Sequence, residues 1–459
     1  MGALSPARQL AYRVVLTVEK SESFAHETLS RELDNAQLDD RDKAFATRLA
    51  YGVIAYRGTL LDLLKRLSSK KQMPAPEVSC ALQIALYEIF IDNQKDFVAV
   101  NQGVELVKQV APYARGFANA VLRSATRMRP EFPFGDVTKQ SDALARQEGL
   151  PQWLVDQLIA EYGFEQTTLM ARAFNEPPAL FASVPVWSGS RESVIDSLAR
   201  QNVEAVPVSD ALPFALELKN SSQAVKTTAI MKRHILLMDS AAQLTVKMAD
   251  ARPKQSIMEM GAGRGNKSLM LASSARAQGG PAKEIISVDL HAFKSELLAK
   301  EAKRLNVREI STLTFDGTDL DAMREHLGDR LFDSLVIDAP CSGVGTLRRH
   351  IDKRWTLKPT DSRELGRLNE KLLWANAHFV KPGGKIIYAT CTMFNEENGH
   401  VISEFLKTEL GAEYTIEPIV PADVPSGWER FILKDGTFQS IPEIGGPDGH
   451  FIAVLRRKK

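Results

Sequence analysis

Two cysteines of the 459-residue chain follow apolar segments that have the length and composition of β-strands. Cys341 comes after residues 335–337, and Cys391 comes after residues 386–389. If these strands are parallel neighbours in one sheet, their carboxyl ends share an edge, and the two thiols converge there. Such thiols can act as covalent nucleophiles, pack as small hydrophobes or form a redox dithiol. Their placement on separate loops, with no C-x-x-C motif, disfavours the redox interpretation.

A glycine-rich turn follows an earlier strand at 257–260, and its sequence from position 259 is Glu-Met-Gly-Ala-Gly-Arg-Gly-Asn-Lys. Glycine lets the backbone turn tightly against a ligand, and the helix that follows offers free N–H groups. The spacing differs from the dinucleotide motif G-x-G-x-x-G and resembles the first motif of S-adenosylmethionine-dependent methyltransferases with a Rossmann-like fold. The expected cofactor-binding residues of this turn are Gly261, Ala262, Gly263, Arg264, Gly265, Asn266 and Lys267.

Three further acids end the neighbouring predicted strands, namely Asp289, Asp316 and Asp338. Each alone could be a solvated carboxylate or a helix cap. Their repetition at successive strand ends favours a nucleoside-binding sheet, in which Asp289 accepts hydrogen bonds from both ribose hydroxyls. We therefore include all three acids among the residues that bind the cofactor.

The elements that position these residues fall into three regions. After about residue 236 the pattern alternates strand, turn and helix, which predicts an α/β, Rossmann-like class I methyltransferase domain over 236–459 with a parallel sheet. Residues 1–135 are predicted to be an all-α domain, and one of its helices, around 82–90, has a single apolar face with Glu88 pointing outward. Residues 136–235 mix short strands with helices and predict a small α+β connector.

Composition excludes several classes of protein. The 58 Lys and Arg residues nearly balance the 57 Asp and Glu residues, so an RNA or membrane partner must be bound by local patches. Three cysteines are too few for a disulfide framework or a zinc cluster, and no metal is expected. There is no targeting signal and no run of roughly 18 apolar residues that could cross a membrane. We expect a cytoplasmic, monomeric protein.

The two cysteine motifs together resemble those of the RNA cytosine-5 methyltransferase family. The first is Asp338-Ala-Pro-Cys341-Ser-Gly, and the second is Tyr388-Ala-Thr-Cys391-Thr, followed by Glu-Glu-Asn. DNA cytosine-5 enzymes carry only the Pro-Cys thiol, so two cysteines favour RNA. The resemblance implies that Cys391 is the nucleophile, that Cys341 takes part in product release, and that Asp338 holds the target base or the cofactor.

This resemblance covers nearly the whole chain. The RNA-binding NusB-type domain of bacterial members of the family is similar to residues 101–106 and 119–123. The connector of these proteins is similar to residues 151–155, 175–178 and 239–243, and their final strand is similar to residues 448–453. The resemblance implies S-adenosyl-L-methionine as the cofactor and small-subunit rRNA as the partner, with tRNA as an alternative substrate.

Two basic clusters are candidate RNA contacts. The first consists of Arg123, Arg127 and Arg129, for which a solvated helix end is the default interpretation and a phosphate-binding edge is the alternative. The second lies just after the first cysteine motif, from Arg348 to Trp355, and is expected to contact the RNA backbone and stack on bases.

The glycine-rich loop departs from the family pattern, because Arg264 and Asn266 stand where Pro and Gly are usual. This departure supports an alternative, a non-catalytic RNA-binding assembly factor on a methyltransferase fold. A third interpretation, methylation of an exocyclic amino group, requires an aromatic residue where this chain has Cys341.

Overall fold

The computed structural model describes residues 4–21, 24–68, 73–219 and 221–459. These residues form two compact units, of which one extends to Asn175 and also contains Leu347–Pro359, and the other contains Glu176–Thr346 and Thr360–Lys459. The helices up to Asn175 are α1 (Pro6–Ser21), α2 (Ala25–Asp34), α3 (Asp40–Ala55), α4 (Arg57–Leu67), α5 (Pro76–Phe90), α6 (Asp96–Val110), α7 (Arg115–Met128), α8 (Ser141–Glu148) and α9 (Gln152–Ala173). The all-α class predicted for this region is confirmed.

Helix α5 is the centre of the first unit, since every residue from Val78 to Phe90 is buried. The prediction that Glu88 points outward is therefore wrong. Neighbouring helices surround α5, and the Arg8 guanidinium of α1 meets the Glu88 carboxylate at 2.5 Å and 3.0 Å. Burial raises the pKa of Glu88 even though Arg8 opposes the shift. The pattern of charged residues within α5 does not show that Arg8 of another helix pairs with Glu88.

The first unit also takes in the basic segment that follows the Cys341 motif. The Arg354 side chain is fully buried and donates to the backbone oxygen of Phe174 at 2.5 Å and to the side-chain oxygen of Asn175 at 2.8 Å. The Trp355 indole donates to the Ala55 carbonyl at 2.9 Å. Burial lowers the pKa of Arg354 to about 10. The expectation that these residues contact RNA is wrong for Arg354, which is buried among backbone acceptors.

The second unit begins with the connector, whose elements are β1 (Leu180–Ser183), α10 (Arg191–Ala199), β2 (Ala205–Ser209), β3 (Leu212–Leu218), α11 (Ser221–Ala224), α12 (Thr228–Met231) and β4 (Leu236–Leu237). The strands pair antiparallel in the order β2-β3-β1-β4. Helix α10 covers this sheet through Val194 and Leu198. The predicted α+β class of the connector is confirmed.

The remaining elements lie in the second unit, except for α17, which lies in the first. They are α13 (Ser240–Ala249), β5 (Ser256–Met260), α14 (Asn266–Ala277), β6 (Glu284–Asp289), α15 (Ala292–Arg304), β7 (Ile310–Thr314), α16 (Leu320–Leu327), β8 (Phe332–Asp338), α17 (Lys353–Thr356), α18 (Asp361–Ala377), β9 (Val380–Thr390), α19 (Gly399–Lys407), β10 (Tyr414–Ile416), β11 (Phe438–Gln439) and β12 (Phe451–Arg457).

The larger sheet of the second unit has the strand order β10-β12-β9-β8-β5-β6-β7. The five strands from β9 to β7 are parallel, as predicted, whereas β12 is antiparallel to both β9 and β10. The crossover from β9 through α19 to β10 leaves room for one strand, and β12 fills it in the opposite direction. The sheet is therefore mixed, and the Rossmann-like class is confirmed.

Both faces of this sheet are covered. Alternate residues of the strands enter different cores, so that Ile257 packs on one face and Met258 on the other. Buried parallel strands of this kind place their polar ends at one edge, where ligands bind. None of the described helices combines the length and the apolar character that a bilayer span requires.

Candidate active site

The structure brings the two strand-end thiols together. Strands β8 and β9 are parallel neighbours, and their pairing continues to Asp338 and Ala389, so the loops that follow leave the same edge of the sheet. The sulfur atoms of Cys341 and Cys391 lie 3.2 Å apart, and the Cys391 backbone N–H donates to the Cys341 sulfur at 3.3 Å. Both cysteines are partly exposed free thiols.

The surroundings of the Cys341 thiol keep it protonated. The hydrogen bond with Cys391, followed by burial and by the charge of Glu397, raises the pKa of Cys341 well above that of an ordinary thiol. Cys341 therefore keeps its proton at neutral pH and can donate it to the sulfur of Cys391. A thiolate that accepts such a hydrogen bond is stabilised in its charged form.

The glycine-rich turn passes directly beneath the first thiol loop. Gly261, Gly263 and Gly265 all have positive φ, at 81°, 57° and 81°. At Gly261 a side-chain carbon would lie only 2.3 Å from the Asp338 carbonyl oxygen, so only glycine permits this approach. Gly265 ends the turn and is the N-cap residue of α14. The turn thus brings the end of β5, the end of β8 and the N-terminus of α14 close together.

Lys267, in the first turn of α14, lies across from Asp338 at a distance of 2.6 Å between the ammonium and the carboxylate. Burial opposes the charge of Lys267, but the charge of Asp338, their hydrogen bond and the charge of Glu259 outweigh it and raise the pKa of Lys267. Glu259 is itself buried, which raises its pKa to about 7, and it accepts a hydrogen bond from Ser268. Lys267, Asp338 and Glu259 therefore form a compact cluster of ionisable side chains beside the thiols.

Asp289, the predicted ribose ligand, holds the glycine-rich turn. Its carboxylate accepts from the Gly263 N–H at 2.9 Å and from the His291 N–H at 2.9 Å, and Lys294 lies 3.3 Å away. Lys294 also donates to the oxygen that accepts from Gly263, at 3.5 Å, and a carboxylate with about four acceptor sites still has room for a hydroxyl. Asp289 can thus orient the turn and still accept from a ribose.

The other predicted cofactor residues differ in their positions. Asp316 is exposed and accepts hydrogen bonds from the backbone and hydroxyl of Thr318 at 2.9 Å and 2.8 Å. Asn266 donates to the Leu237 carbonyl at 2.9 Å and accepts from Arg233 at 2.6 Å, so its side chain ties α14 to the connector. Ala262 is buried, and Arg264 is exposed. Asn266 has a structural function here that the sequence did not suggest.

Asn398 holds the Cys391 loop from below and was quoted in the sequence motif without a role. Its amide oxygen accepts from the Thr390 hydroxyl at 2.6 Å, and its amide nitrogen donates to the Thr392 carbonyl at 3.1 Å and to Gln439 at 2.9 Å. These bonds bracket Cys391 on both sides. The position of Asn398 directly after two glutamates of the motif was the only sequence signal for this role. The sequence does not show whether such an amide is buried or exposed.

His450 also lies near the cluster of Lys267 and Asp338. It immediately precedes β12, whose Phe451 pairs with Thr390, so His450 is next to the strand end that carries Cys391. Burial lowers the pKa of His450, which is therefore neutral at pH 7. Sequence reasoning treated this residue only as part of the final strand.

The residues present fit a nucleoside cofactor. A side-chain carbon placed on Gly263 would have only one neighbour, the Gly261 carbonyl oxygen at 3.9 Å, so open space borders the turn at this residue. That space lies at the carboxyl ends of β5 and β6, where Asp289 supplies the acceptor that a ribose requires. Residues 261–267 and Asp289 would hold the cofactor.

Comparison with known proteins gives three family matches in chain order. The NusB family matches residues 5–127, the RsmF/B-like ferredoxin-like domain matches 150–225, and the family described as 16S rRNA methyltransferase RsmB/F matches 246–456. Over residues 246–456 the chain is therefore similar to the RsmB/F methyltransferases. The resemblance deduced from the cysteine motifs is thereby confirmed, as is S-adenosyl-L-methionine, the cofactor of this methyltransferase family.

Similar RsmB/Sun proteins match this chain over its whole length. The probable ribosomal RNA small subunit methyltransferase B of Bacillus subtilis (strain 168) is 28% identical over 455 residues, which cover 98% of each chain. The ribosomal RNA small subunit methyltransferase B of Thermus thermophilus is 28% identical over 451 residues, covering 98% of this chain and 97% of the relative. Both relatives are named as rRNA small subunit methyltransferases.

Two solved structures share the fold. The crystal structure of PH0851 superposes with a TM-score of 0.78 at 21% identity, covering 100% of both chains. The structure of NSun6 from Pyrococcus horikoshii with SFG gives a TM-score of 0.56 at 17% identity, covering 68% of this chain and 99% of that one.

Proposed function

We propose that the protein transfers a methyl group from S-adenosyl-L-methionine to carbon 5 of a cytosine in small-subunit rRNA, with Cys391 as the nucleophile. The observation that carries this proposal is the pair of thiols, 3.2 Å apart, at the edge of a methyltransferase sheet. Methylation of an oxygen or an exocyclic nitrogen needs no thiol, whereas methylation of carbon 5 needs one for a chemical reason. The domain boundaries, 1–135, 136–235 and 236–459, are part of the same proposal.

Carbon 5 of cytosine is a poor nucleophile, and covalent catalysis overcomes this. The Cys391 sulfur bonds to carbon 6, and the electron pair of the 5,6 double bond becomes available at carbon 5. The cofactor supplies the electrophilic methyl group that carbon 5 then accepts. A base then removes the carbon 5 proton, which restores the double bond and expels the Cys391 thiolate.

Cys341 is assigned to the release step. Its thiol lies against Cys391 and remains protonated because of the hydrogen bond between the two sulfur atoms and its burial. It can therefore donate a hydrogen bond to the departing sulfur, which stabilises the charge that develops there. Without it, the covalent product should persist.

Asp338 and Lys267 are proposed to orient the target base and the cofactor. The Lys267 ammonium donates to one oxygen of the Asp338 carboxylate, Oδ2, at 2.6 Å. The other oxygen lies outside this ion pair. A carboxylate there can accept from the exocyclic amino group of cytosine. A base paired in a helix would have to leave the stack to reach these groups.

The charge of α7 supports RNA as the partner. Arg115, Arg123 and Arg127 are exposed on one side of this helix, which contains no acidic residue. Arg129, at its end, is instead paired with Asp96 at 2.6 Å. Guanidinium groups on such a face bind phosphates without regard to sequence.

The alternative of a non-catalytic assembly factor rested on the altered glycine-rich loop. The three glycines keep positive φ, and Asn266 stabilises α14, so the substitutions leave the turn formed. No specific observation favours this alternative over catalysis.

The test is bisulfite sequencing of unmodified small-subunit rRNA after incubation with protein and cofactor. We expect one cytosine to resist conversion with the wild-type protein and none with Cys391→Ala. Cys80→Ala is the matched control, because Cys80 is buried in α5 and far along the chain from the motifs. Full protection with Cys391→Ala, or protection of a tRNA and not of rRNA, would contradict the proposal.

A further inference from the structure

Glu397 is a buried acid to which neither the motifs nor the comparisons give a role. It follows the Cys391 loop and is fully buried. One carboxylate oxygen accepts from the Ser342 backbone N–H at 2.7 Å, and the other accepts from the Ser342 hydroxyl at 2.6 Å and lies 3.3 Å from the Thr392 hydroxyl. Ser342 directly follows Cys341, and Thr392 directly follows Cys391. One carboxyl group therefore holds both thiol loops.

The hydrogen-bond directions require an acceptor at this position. The hydroxyls of Ser342 and Thr392 lie 2.8 Å apart, so Thr392 can donate to Ser342 while Ser342 donates to Glu397. The backbone N–H of Ser342 can only donate. A carboxylate satisfies all of these donors, whereas a protonated acid or an amide would turn one donor toward another.

We propose that Glu397 is a positioning residue, which as a carboxylate holds the Cys341 and Cys391 loops in the arrangement that methyl transfer requires. This inference rests on the proposed two-thiol reaction, and it assigns Glu397 no contact with substrate. The consequence is that the reaction depends on the ionisation of a group outside the reacting atoms.

The surroundings of Glu397 place that ionisation near neutral pH. Burial raises its pKa to about 7, although its hydrogen bonds from Ser342 and Thr392 lower it in part. The titratable groups that face it are Glu396 on its own segment, Cys341 on the loop after β8, and Tyr388 on β9, whose hydroxyl donates to the Glu397 carbonyl at 2.6 Å. None of these is a cation that would keep Glu397 ionised in acid.

The experiment is the pH dependence of single-turnover methyl transfer to unmodified small-subunit rRNA, between pH 5.5 and 8.5, with saturating cofactor. For the wild-type protein the rate should fall steeply below pH 7, because Glu397 gains a proton there. For Glu397→Gln we expect a rate at least about tenfold lower at pH 8, since one donor loses its acceptor. The slope below pH 7 should be shallower, because one titrating group is gone.

Ser342→Ala is a second variant that keeps the acid. It removes one hydrogen bond to the carboxylate and should move the steep fall to higher pH by roughly one unit. Glu404→Gln is the matched control, because Glu404 bonds to Lys407 on α19 and not to either thiol loop. Its pH profile should match that of the wild-type protein.

The outcomes separate this inference from the proposed function. If the wild-type protein methylates carbon 5 and both Glu397→Gln and Ser342→Ala keep its rate and pH profile, the positioning role is wrong while the proposed function stands. If Glu397→Gln does not fold, an unshifted profile for Ser342→Ala is sufficient to overturn the inference. If the wild-type protein forms no 5-methylcytosine, the proposed function itself fails.

Discussion

The Lys267 ammonium lies 2.6 Å from an Asp338 carboxylate oxygen and so ties the first turn of α14 to the end of β8. Removing one partner of such a pair leaves the other charge without compensation, which typically costs about 3 kcal/mol. We expect Lys267→Met to lower methyl transfer by roughly 100-fold in single-turnover assays. The double variant with Asp338→Asn should lose little more than the worse single variant. Losses that simply multiply would show that the two residues act independently.

The buried Arg354 should contribute to the stability of the first unit. Arg354→Met leaves the Phe174 carbonyl and the Asn175 side-chain oxygen without their donor, so we expect unfolding in urea to require about 2–4 kcal/mol less free energy. Lys358→Ala, at an exposed position of the same segment, is the control and should change stability by less than about 0.5 kcal/mol. Equal stabilities of the two variants would contradict a structural role for Arg354.

Sequence reasoning succeeded where local pattern determines position. The meeting of Cys341 and Cys391 follows from two parallel strands that end at one edge, and apolar periodicity identifies those strands. It failed at Glu88 and Arg354, which have the charge of surface residues. Their partners are Arg8 in one case and the backbone after α9 in the other, contacts that depend on packing between elements distant in the chain.

The acid Glu397 shows the same limit at the site itself. The run of two glutamates and an asparagine was recognised as part of a motif, but its function depends on which glutamate is buried. Glu397 and Glu396 are adjacent and chemically identical, so only the fold distinguishes them. The direction of β12 was likewise undetermined, because an apolar strand pairs equally well in either sense.

Glu259 should make stability depend on pH. Its pKa is about 7 in the folded protein because of burial, and the ordinary value is 4.5. Between these values the folded state binds a proton that the unfolded state has lost, so the free energy of unfolding should fall as pH rises from 4.5 to 7. Glu259→Gln should remove this part of the slope in urea titrations at pH 5 and pH 8. An unchanged slope would mean that Glu259 is ionised throughout.

The arginines of α7 should set the salt dependence of RNA binding. We expect the double variant Arg123→Ala/Arg127→Ala to bind rRNA fragments more weakly whatever their sequence. The slope of log Kd against log salt should fall by about two, or one for each lost phosphate contact. Lys139→Ala, exposed and outside α7, is the control. An unchanged slope for the arginine double variant would assign RNA contact to another face.

The central claim, that Cys391 forms a covalent bond to the target base, is tested most directly with Cys341→Ala. This variant should stall after methyl transfer, so a denaturing gel should show a protein–RNA species that forms only with cofactor. Mass spectrometry after digestion should find a nucleotide on the peptide that contains Cys391, and the Cys341→Ala/Cys391→Ala double variant should form no such species. Absence of the species, or a nucleotide attached to any residue other than Cys391, would contradict the account.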